Sequence, residues 1–302
     1  MVRRTPARPR VVPKQQPQQA IWNGTFTGPW IVAAYRPTAL WSLRTSMSTS
    51  SGGKTLLVPT PYSVKLALVD AAIQQRGFDA GVRLFERLRG RPMRISPPVW
   101  AVVSASLVKV RRLERSDAND RADEVDAADV RMFTPTVGFR EYVSFSGPGA
   151  DSLLRVAVLR DDLDDADIDL LAAAARGVTY SGKRGGFLQF APMPGTLGLE
   201  ERAHLATGVG FTLPLAHSGA EPIPLGTIQL LDELAAGAEW ERVSTFGSAS
   251  ARVSHATPAQ VSVSKAVERV FVPSAVPYRR MKATRSSTLY QRVDDEPLPS
   301  PR

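Results

Sequence analysis

The residues whose types and spacing most clearly point to chemistry form a glycine-rich basic run, YSGKRGGFLQF, at positions 180–190. Its three glycines and two adjacent cations are Gly182, Lys183, Arg184, Gly185 and Gly186. Glycine permits positive φ and lets a backbone approach a ligand closely. Exposed N–H groups and two full positive charges suit a phosphodiester backbone better than a neutral small molecule. An ordinary hairpin turn with solvated cations has the same composition, so the run alone leaves both interpretations open.

A second group of cations and aromatic residues surrounds a serine-rich stretch at positions 46–53. Its cations are Arg36, Arg44, Lys54 and Lys65, and its aromatic residues are Tyr35, Trp41 and Tyr62. Cations neutralise phosphates and aromatic rings stack on unpaired bases, so this pattern favours a nucleic-acid surface. Packing of Trp41 and Tyr62 in the core or against a loop is the competing interpretation.

Nucleotide hydrolysis is not expected, although GGKT at positions 52–55 is reminiscent of a P-loop. That motif requires a glycine five residues before its second glycine and a helix after it. Position 48 is Ser48, and the sequence continues as LLVP. No Gly-x-Ser-x-Gly elbow occurs either, so we assign no catalytic residue.

Metal and thiol chemistry are also not expected. The chain has no cysteine, which excludes disulfides and zinc ribbons and is compatible with a reducing cytosol. Its three histidines are widely scattered, and the acidic stretch at 116–129 lacks the glycine and terminal glutamate of a calcium loop. We therefore predict no metal site and no cofactor.

The net charge of +9 favours a polyanionic partner. A membrane partner is not expected, because no segment approaches the ~20 apolar residues of a spanning helix. The basic N-terminal residues are followed by proline and glutamine, not by the apolar region of a secretory signal. A cytoplasmic location follows from these observations.

Hydrophobic periodicity predicts an α+β protein. Helices are expected at 62–75, with Gly77 as C-cap, at 79–88 and at 161–176, where acids at the start suit the helix dipole. Strands are expected at 28–35, 99–110, 130–145, 153–159, 178–180 and 187–190. Beyond residue 192, short apolar pieces indicate a β-rich region, with one short helix at 228–235.

Two separate stretches together resemble one known family. The first is a strand followed by YRPT (35–38), a serine- and arginine-containing loop, KT (54–55) and PTPYSVKLAL (59–68), which opens a helix. The second is YSGKRGGF (180–187). Their order and separation are similar to the CRISPR-associated Cas family five of the RAMP superfamily. The basic N-terminal arm, the acidic insertion and the residues after 272 depart from that pattern.

The resemblance implies a ferredoxin-like (RRM-related) domain with a glycine-rich loop against its sheet, and a β-rich remainder. The corresponding division is a disordered basic arm at 1–19, the ferredoxin-like RAMP domain at 20–192 with a charged insertion near 114–129, a β-rich C-terminal region at 193–273 and a flexible basic tail at 274–302. The tail carries Arg279, Arg280, Lys282 and Arg285.

By the same resemblance, the chain would hold the 5′ handle of a guide RNA in a type I effector complex. The implied RNA-binding residues are Arg36, Arg44, Lys54, Lys65 and Tyr62 from the first stretch, with Gly182, Lys183, Arg184, Gly185 and Gly186 from the second. The implied partners are the guide RNA, the backbone and large subunits, and target DNA through the complex.

Some members of the family also cut the precursor RNA, so two alternatives stay open beside a non-catalytic RNA-binding subunit. One is a metal-independent endoribonuclease that matures the guide precursor. The other is a basic structural or interaction protein with no role in RNA binding.

Overall fold

A computed structural model describes residues 29–44, 53–113, 133–147, 149–182, 185–203, 205, 210–215, 226–240 and 269–293. Some of the predictions fall outside this part of the chain. They concern the basic arm (1–19), the charged insertion (114–129), Lys183, Arg184 and residues 294–302.

Three helices and twelve strands are formed by the described residues. The helices are α1 (Pro61–Arg76), α2 (Phe78–Leu88) and α3 (Asp165–Gly177). The strands are β1 (Trp30–Pro37), β2 (Met93–Ser96), β3 (Trp100–Leu113), β4 (Phe133–Ser146), β5 (Leu154–Leu159), β6 (Leu188–Phe190), β7 (Glu200–Arg202), β8 (Leu213–Pro214), β9 (Thr227–Leu234), β10 (Arg269–Val276), β11 (Tyr278–Ala283) and β12 (Ser287–Arg292). Mixed helices and antiparallel sheets make this an α+β fold, as predicted.

The first sheet has the strand order β2-β5-β1-β6, and β7 pairs with the other end of β1. All its pairings are antiparallel. Side chains alternate along β1, so Ile31 and Tyr35 lie on one face and belong to the main core with residues of the helices. Trp30 and Val32 lie on the opposite face, in a smaller cluster with Phe211.

Helix α1 begins and ends at local signals that the sequence displays. Thr60 is the N-cap: its side chain accepts a hydrogen bond from the amide of Ser63, whose hydroxyl in turn accepts one from the Thr60 amide. Pro61 occupies the first turn, where a missing N–H has no cost. At the other end Gly77 adopts a φ of 91° and donates to Ile73 O. The predicted helix is confirmed.

Helix α3 is joined to α2 through a buried carboxylate. Asp164 caps α3 by accepting from the amide of Asp167 at 2.7 Å. The Asp167 side chain is 1% exposed and forms ion pairs with Arg83 and Arg87 of α2. The acids at the start of α3 therefore do more than suit the helix dipole, because one of them connects two helices.

Two further sheets have the orders β8-β10-β9 and β11-β12-β3-β4. Prediction of a flexible tail at 274–302 is wrong for residues 274–293, which contain the end of β10 and all of β11 and β12. The helix predicted at 228–235 is also wrong, because β9 pairs with β10 at every residue from Thr227 to Leu234. Leu231 and Leu234 are its most buried side chains. Their spacing of three residues is also typical of a helix, which explains the wrong prediction.

Candidate nucleic-acid interface

The glycine-rich loop joins α3 to β6, and its backbone requires glycine. Gly182 has a φ of 76° and Gly185 a φ of 107°, a region that side-chain-bearing residues rarely adopt. The loop closes through an isolated pairing between Tyr180 and Phe187, and the Ser181 amide donates to Gly186 O at 3.3 Å. These contacts fix both ends of the loop at the edge of the first sheet.

The loop packs directly on residues that follow β1. A Cβ on Gly186 would lie 2.7 Å from a carbon of the Trp41 ring, and one on Gly182 would lie 3.1 Å from Leu43. Ser181 also contacts the first turn of α1, because its hydroxyl lies 3.2 Å from that of Ser63. The structure therefore brings together the two stretches, far apart in sequence, that carry the resemblance.

The basic loop between β1 and α1 is anchored on β4. Trp41 and Val143 exchange backbone hydrogen bonds of 2.8 and 2.7 Å. Farther along, the amide of Glu141 donates to Gly53 O at 2.9 Å, and the Glu141 carboxylate accepts from the Thr55 amide at 3.0 Å. A Cβ on Gly53 would lie only 2.1 Å from the carbonyl oxygen of Phe139, so the contact requires glycine.

Arg44 and Thr55 form a backbone bridge that closes the base of this loop. The Thr55 hydroxyl accepts from the Leu43 amide at 3.0 Å, and the Leu56 amide donates to Leu43 O at 2.8 Å. Arg44 and Lys54 are thereby held on the two sides of the closure, and both side chains are exposed.

The end of β1 and the start of β6 place further exposed groups beside the glycine loop. Arg36 pairs with Gln189 across the two strands, and both side chains are exposed. Phe187 is 53% exposed, and its carbonyl accepts from the Thr38 amide. Phe187 and Gln189 were not predicted as site residues, although both lie on the side of β6 opposite the buried Leu188. The alternation of exposed and buried side chains along a strand could have identified both residues from the sequence.

Lys65 does not belong to this surface, so its assignment as an RNA-binding residue is corrected. Its side chain is 1% exposed, and the ammonium donates to Arg91 O at 2.7 Å and to the Glu233 carboxylate at 3.3 Å. Burial lowers the pKa of Lys65, and Glu233 opposes that change. Burial raises the pKa of Glu233, and Lys65 opposes that change. Lys65 connects α1 to β9 inside the protein.

The aromatic residues of the first stretch mostly pack inside the protein. Tyr35 is 1% exposed and donates to Ala175 O at 3.1 Å, and burial raises the pKa of its hydroxyl. Trp41 is 2% exposed and packs near Phe145, so the packing interpretation is confirmed for it. Tyr62 is half-buried, and the guanidinium carbon of Arg269 lies 4.1 Å from its ring centroid. That cation covers one of the two ring faces on which a base could stack.

Within the described ranges, no group of three or more His, Cys, Asp and Glu residues is arranged to hold a metal ion. Among the same residues, no helix is both long and apolar enough to span a membrane. The glycine-rich loop and the strand ends beside it instead offer cations, backbone amides and the exposed ring of Phe187.

Comparison with known proteins supports the resemblance found in the sequence. The chain is 29% identical over 117 residues to a CRISPR-associated protein Cas5 from Archaeoglobus fulgidus, a match covering 38% of this chain and 47% of that protein. The match thus spans about half the length of the relative. The resemblance to Cas family five is confirmed by this similarity. No family model matches the sequence.

A solved structure, that of a CRISPR protein from Archaeoglobus fulgidus, aligns with 88% of this chain and 93% of its own. The two are 10% identical with a TM-score of 0.38. That score is too low to carry an argument about fold or function.

Proposed function

We propose that this chain is a non-catalytic RNA-binding subunit of a type I CRISPR surveillance complex, in which it holds the 5′ handle of the guide RNA. The observation that carries the proposal is the packing of the glycine-rich loop on the segment after β1. The contact of Gly186 with Trp41 joins the two stretches that resemble Cas family five. Similarity to the Archaeoglobus fulgidus protein supports the same family.

The exposed groups at this contact suit an RNA strand. Arg36, Arg44 and Lys54 offer positive charge to phosphates, and the turns at Gly182 and Gly185 allow a backbone to approach closely. Phe187 offers an exposed ring to an unpaired base. Lys183 and Arg184, which lie in the same loop by sequence, carry two further positive charges.

We also infer that the first sheet with its helices is the ferredoxin-like domain of the RAMP superfamily. Along the chain its elements run β1, two helices, β2, β5, α3 and β6, which is a βαββαβ order with one additional helix. β5 lies between β1 and β2 in the sheet, so the first βαβ unit is split as in that fold. The sheets formed by β3, β4 and β8–β12 would be the second part of the subunit.

The proposed partners are the guide RNA and the backbone and large subunits of the effector complex, with target DNA reached through the complex in the cytoplasm. We propose no catalysis, because Lys65, one of the residues whose type could support metal-free RNA cleavage, is buried against Glu233. Conversion of precursor RNA to a discrete product in the presence of EDTA would overturn this part of the proposal.

Replacing Arg36 and Lys54 together by glutamine is expected to weaken binding of CRISPR-repeat RNA about tenfold. Each lost phosphate contact should also reduce the salt dependence by roughly 0.7 in the slope of log K against log salt for single-stranded RNA. Fluorescence anisotropy with a labelled transcript of the repeat, at several salt concentrations, measures both quantities.

A charge-matched control is available on the helices. Arg76 and Arg176 are exposed and lie at the ends of α1 and α3. The double variant Arg76→Gln/Arg176→Gln should keep wild-type affinity and slope. Equal losses in the two double variants would show that only net charge matters, which contradicts a site at Arg36 and Lys54.

A further inference from the structure

A second basic surface lies on the sheet β11-β12-β3-β4. Ala101 of β3 and Val143 of β4 are completely buried, so this side of the sheet faces the core. Because side chains alternate, Trp100 and Tyr142 lie on the other side, which we call the outer sheet face. Both rings are only partly buried.

Cations from both edge strands share this face. Arg279 of β11 lies in the same cross-strand row as Trp100, with Gln291 of β12 between them. A register shift between Arg280 and Lys282 turns Lys282 to the same side. Without that bulge, a spacing of three residues would place Arg279 and Lys282 on opposite faces.

A cation at the far edge belongs to the same face. Arg140 of β4 pairs with Ser106, which is two residues beyond Ser104 on β3 and therefore on the same side. No Asp or Glu occupies an outer-face position in the described parts of these strands. Their single acid, Glu141, faces the other way and accepts from the Thr55 amide. The face therefore combines positive charge, serine hydroxyls and two rings.

We propose that the outer sheet face is a second nucleic-acid-binding surface, which takes a single strand. Trp100 and Tyr142 are separated by four residue rows, about 13 Å at roughly 3.3 Å per residue, so each ring can stack on a separate base. Arg279, Lys282 and Arg140 lie where phosphates of the same strand would pass. A four-stranded sheet with stacking aromatic residues is a known way to bind unpaired bases.

The cations of the outer sheet face would also suit two simpler roles, but neither accounts for the rings. Cations on edge strands discourage pairing with other chains. This role does not explain Trp100, because β3 is not an edge strand of the sheet. An acidic protein partner would suit the cations, but it gives no reason for two rings spaced for bases. This face shares no residue with the surface assigned to the guide handle, so either function can fail without the other.

The test uses the full chain, freed of bound RNA by nuclease and a high-salt wash. Its probes are fluorescein-labelled oligothymidylate and oligouridylate of about 20 nucleotides, neither of which contains a repeat sequence. The variants are Arg279→Gln/Lys282→Gln, which removes charge, and Tyr142→Ser, which removes a ring. Arg76→Gln/Arg176→Gln is the charge-matched control, and thermal unfolding verifies that each variant is folded.

The charge variant should bind about tenfold more weakly, with a salt slope lower by roughly 1.4 for two lost phosphate contacts. Tyr142→Ser should lose about fivefold or more without a change of slope, because stacking releases no counterions. The probe that the wild type binds more tightly shows whether the strand is DNA or RNA. Wild-type affinity in both sheet variants would overturn the proposal and leave an acidic protein as the partner of this face. Equal weakening in the control would also overturn it, because only net charge would then determine binding.

Discussion

Replacing Lys65 by methionine is expected to lower the free energy of unfolding by about 3–5 kcal/mol, because it leaves the Glu233 carboxylate without its ion-pair partner. Lys65 is 1% exposed, so the methionine side chain would stand in a site closed to solvent and could not replace the ammonium as a partner of Glu233. Its two hydrogen bonds join α1 to the carbonyl of Arg91 and to β9. Denaturant unfolding followed by circular dichroism measures the loss.

The double variant Lys65→Met/Glu233→Leu distinguishes the destabilisation caused by an unpaired charge from that caused by lost packing. A buried ion pair that is replaced as a whole by apolar side chains is often neutral in stability. The double variant should therefore recover most of the loss. Arg94 lies near the same carboxylate, and burial lowers its pKa to about 10 against the opposing effect of Glu233. If Lys65→Met alone were as stable as the wild type, the Lys65–Glu233 ion pair would not stabilise the fold as proposed.

Replacing Gly53 by alanine is expected to detach the basic loop from β4 and to weaken binding of repeat RNA at least tenfold. The new Cβ would lie 2.1 Å from the Phe139 carbonyl oxygen and 2.9 Å from the Arg140 Cα, and both are backbone atoms that cannot move aside cheaply. Overpacking of this kind costs about 1–3 kcal/mol. The Glu141 amide, which donates to Gly53 O, should lose protection against hydrogen exchange.

Gly237→Ala is the matched control for this change, because a Cβ at Gly237 meets nothing within 4 Å. It should leave RNA affinity and the exchange of the Glu141 amide at wild-type values. Unchanged exchange at Glu141 in Gly53→Ala would show that the loop is not held on β4. Faster exchange with full RNA affinity would show instead that the anchored loop does not bind RNA.

Elements marked by local signals could be predicted from the sequence. Helix α1 has a capping box, a proline at its start and a glycine at its end, and the predicted and observed boundaries differ by one residue. Strands β3 and β4 were both expected, β3 because it is rich in β-branched residues. The tail was not predictable in this way, because β12 is a strand through its pairing with β3, where Ser287 lies opposite Ser104. Pairing over such a sequence distance leaves no local pattern.

The site was predictable in outline but not residue by residue. The glycine loop and the segment after β1 do come together, yet the cations near them have different environments. Lys65 lies four residues before Val69 and shares its buried stripe on α1, a helical spacing that could have signalled its burial. Its partner Glu233 is 168 residues away, so the ion pair itself had no local signal. The contact of Tyr62 with Arg269 is long-range for the same reason.

The most direct test of the proposed guide-RNA function is to identify the RNA that the chain retains during purification. Tagged wild type and the variant Lys183→Ala/Arg184→Ala are purified through a high-salt wash with their CRISPR neighbours, and the bound RNA is sequenced. We expect short RNAs that share one 5′ end in the wild type and their loss in the variant. Absence of RNA from the wild type, or heterogeneous RNA held equally by both proteins, would contradict the proposed function.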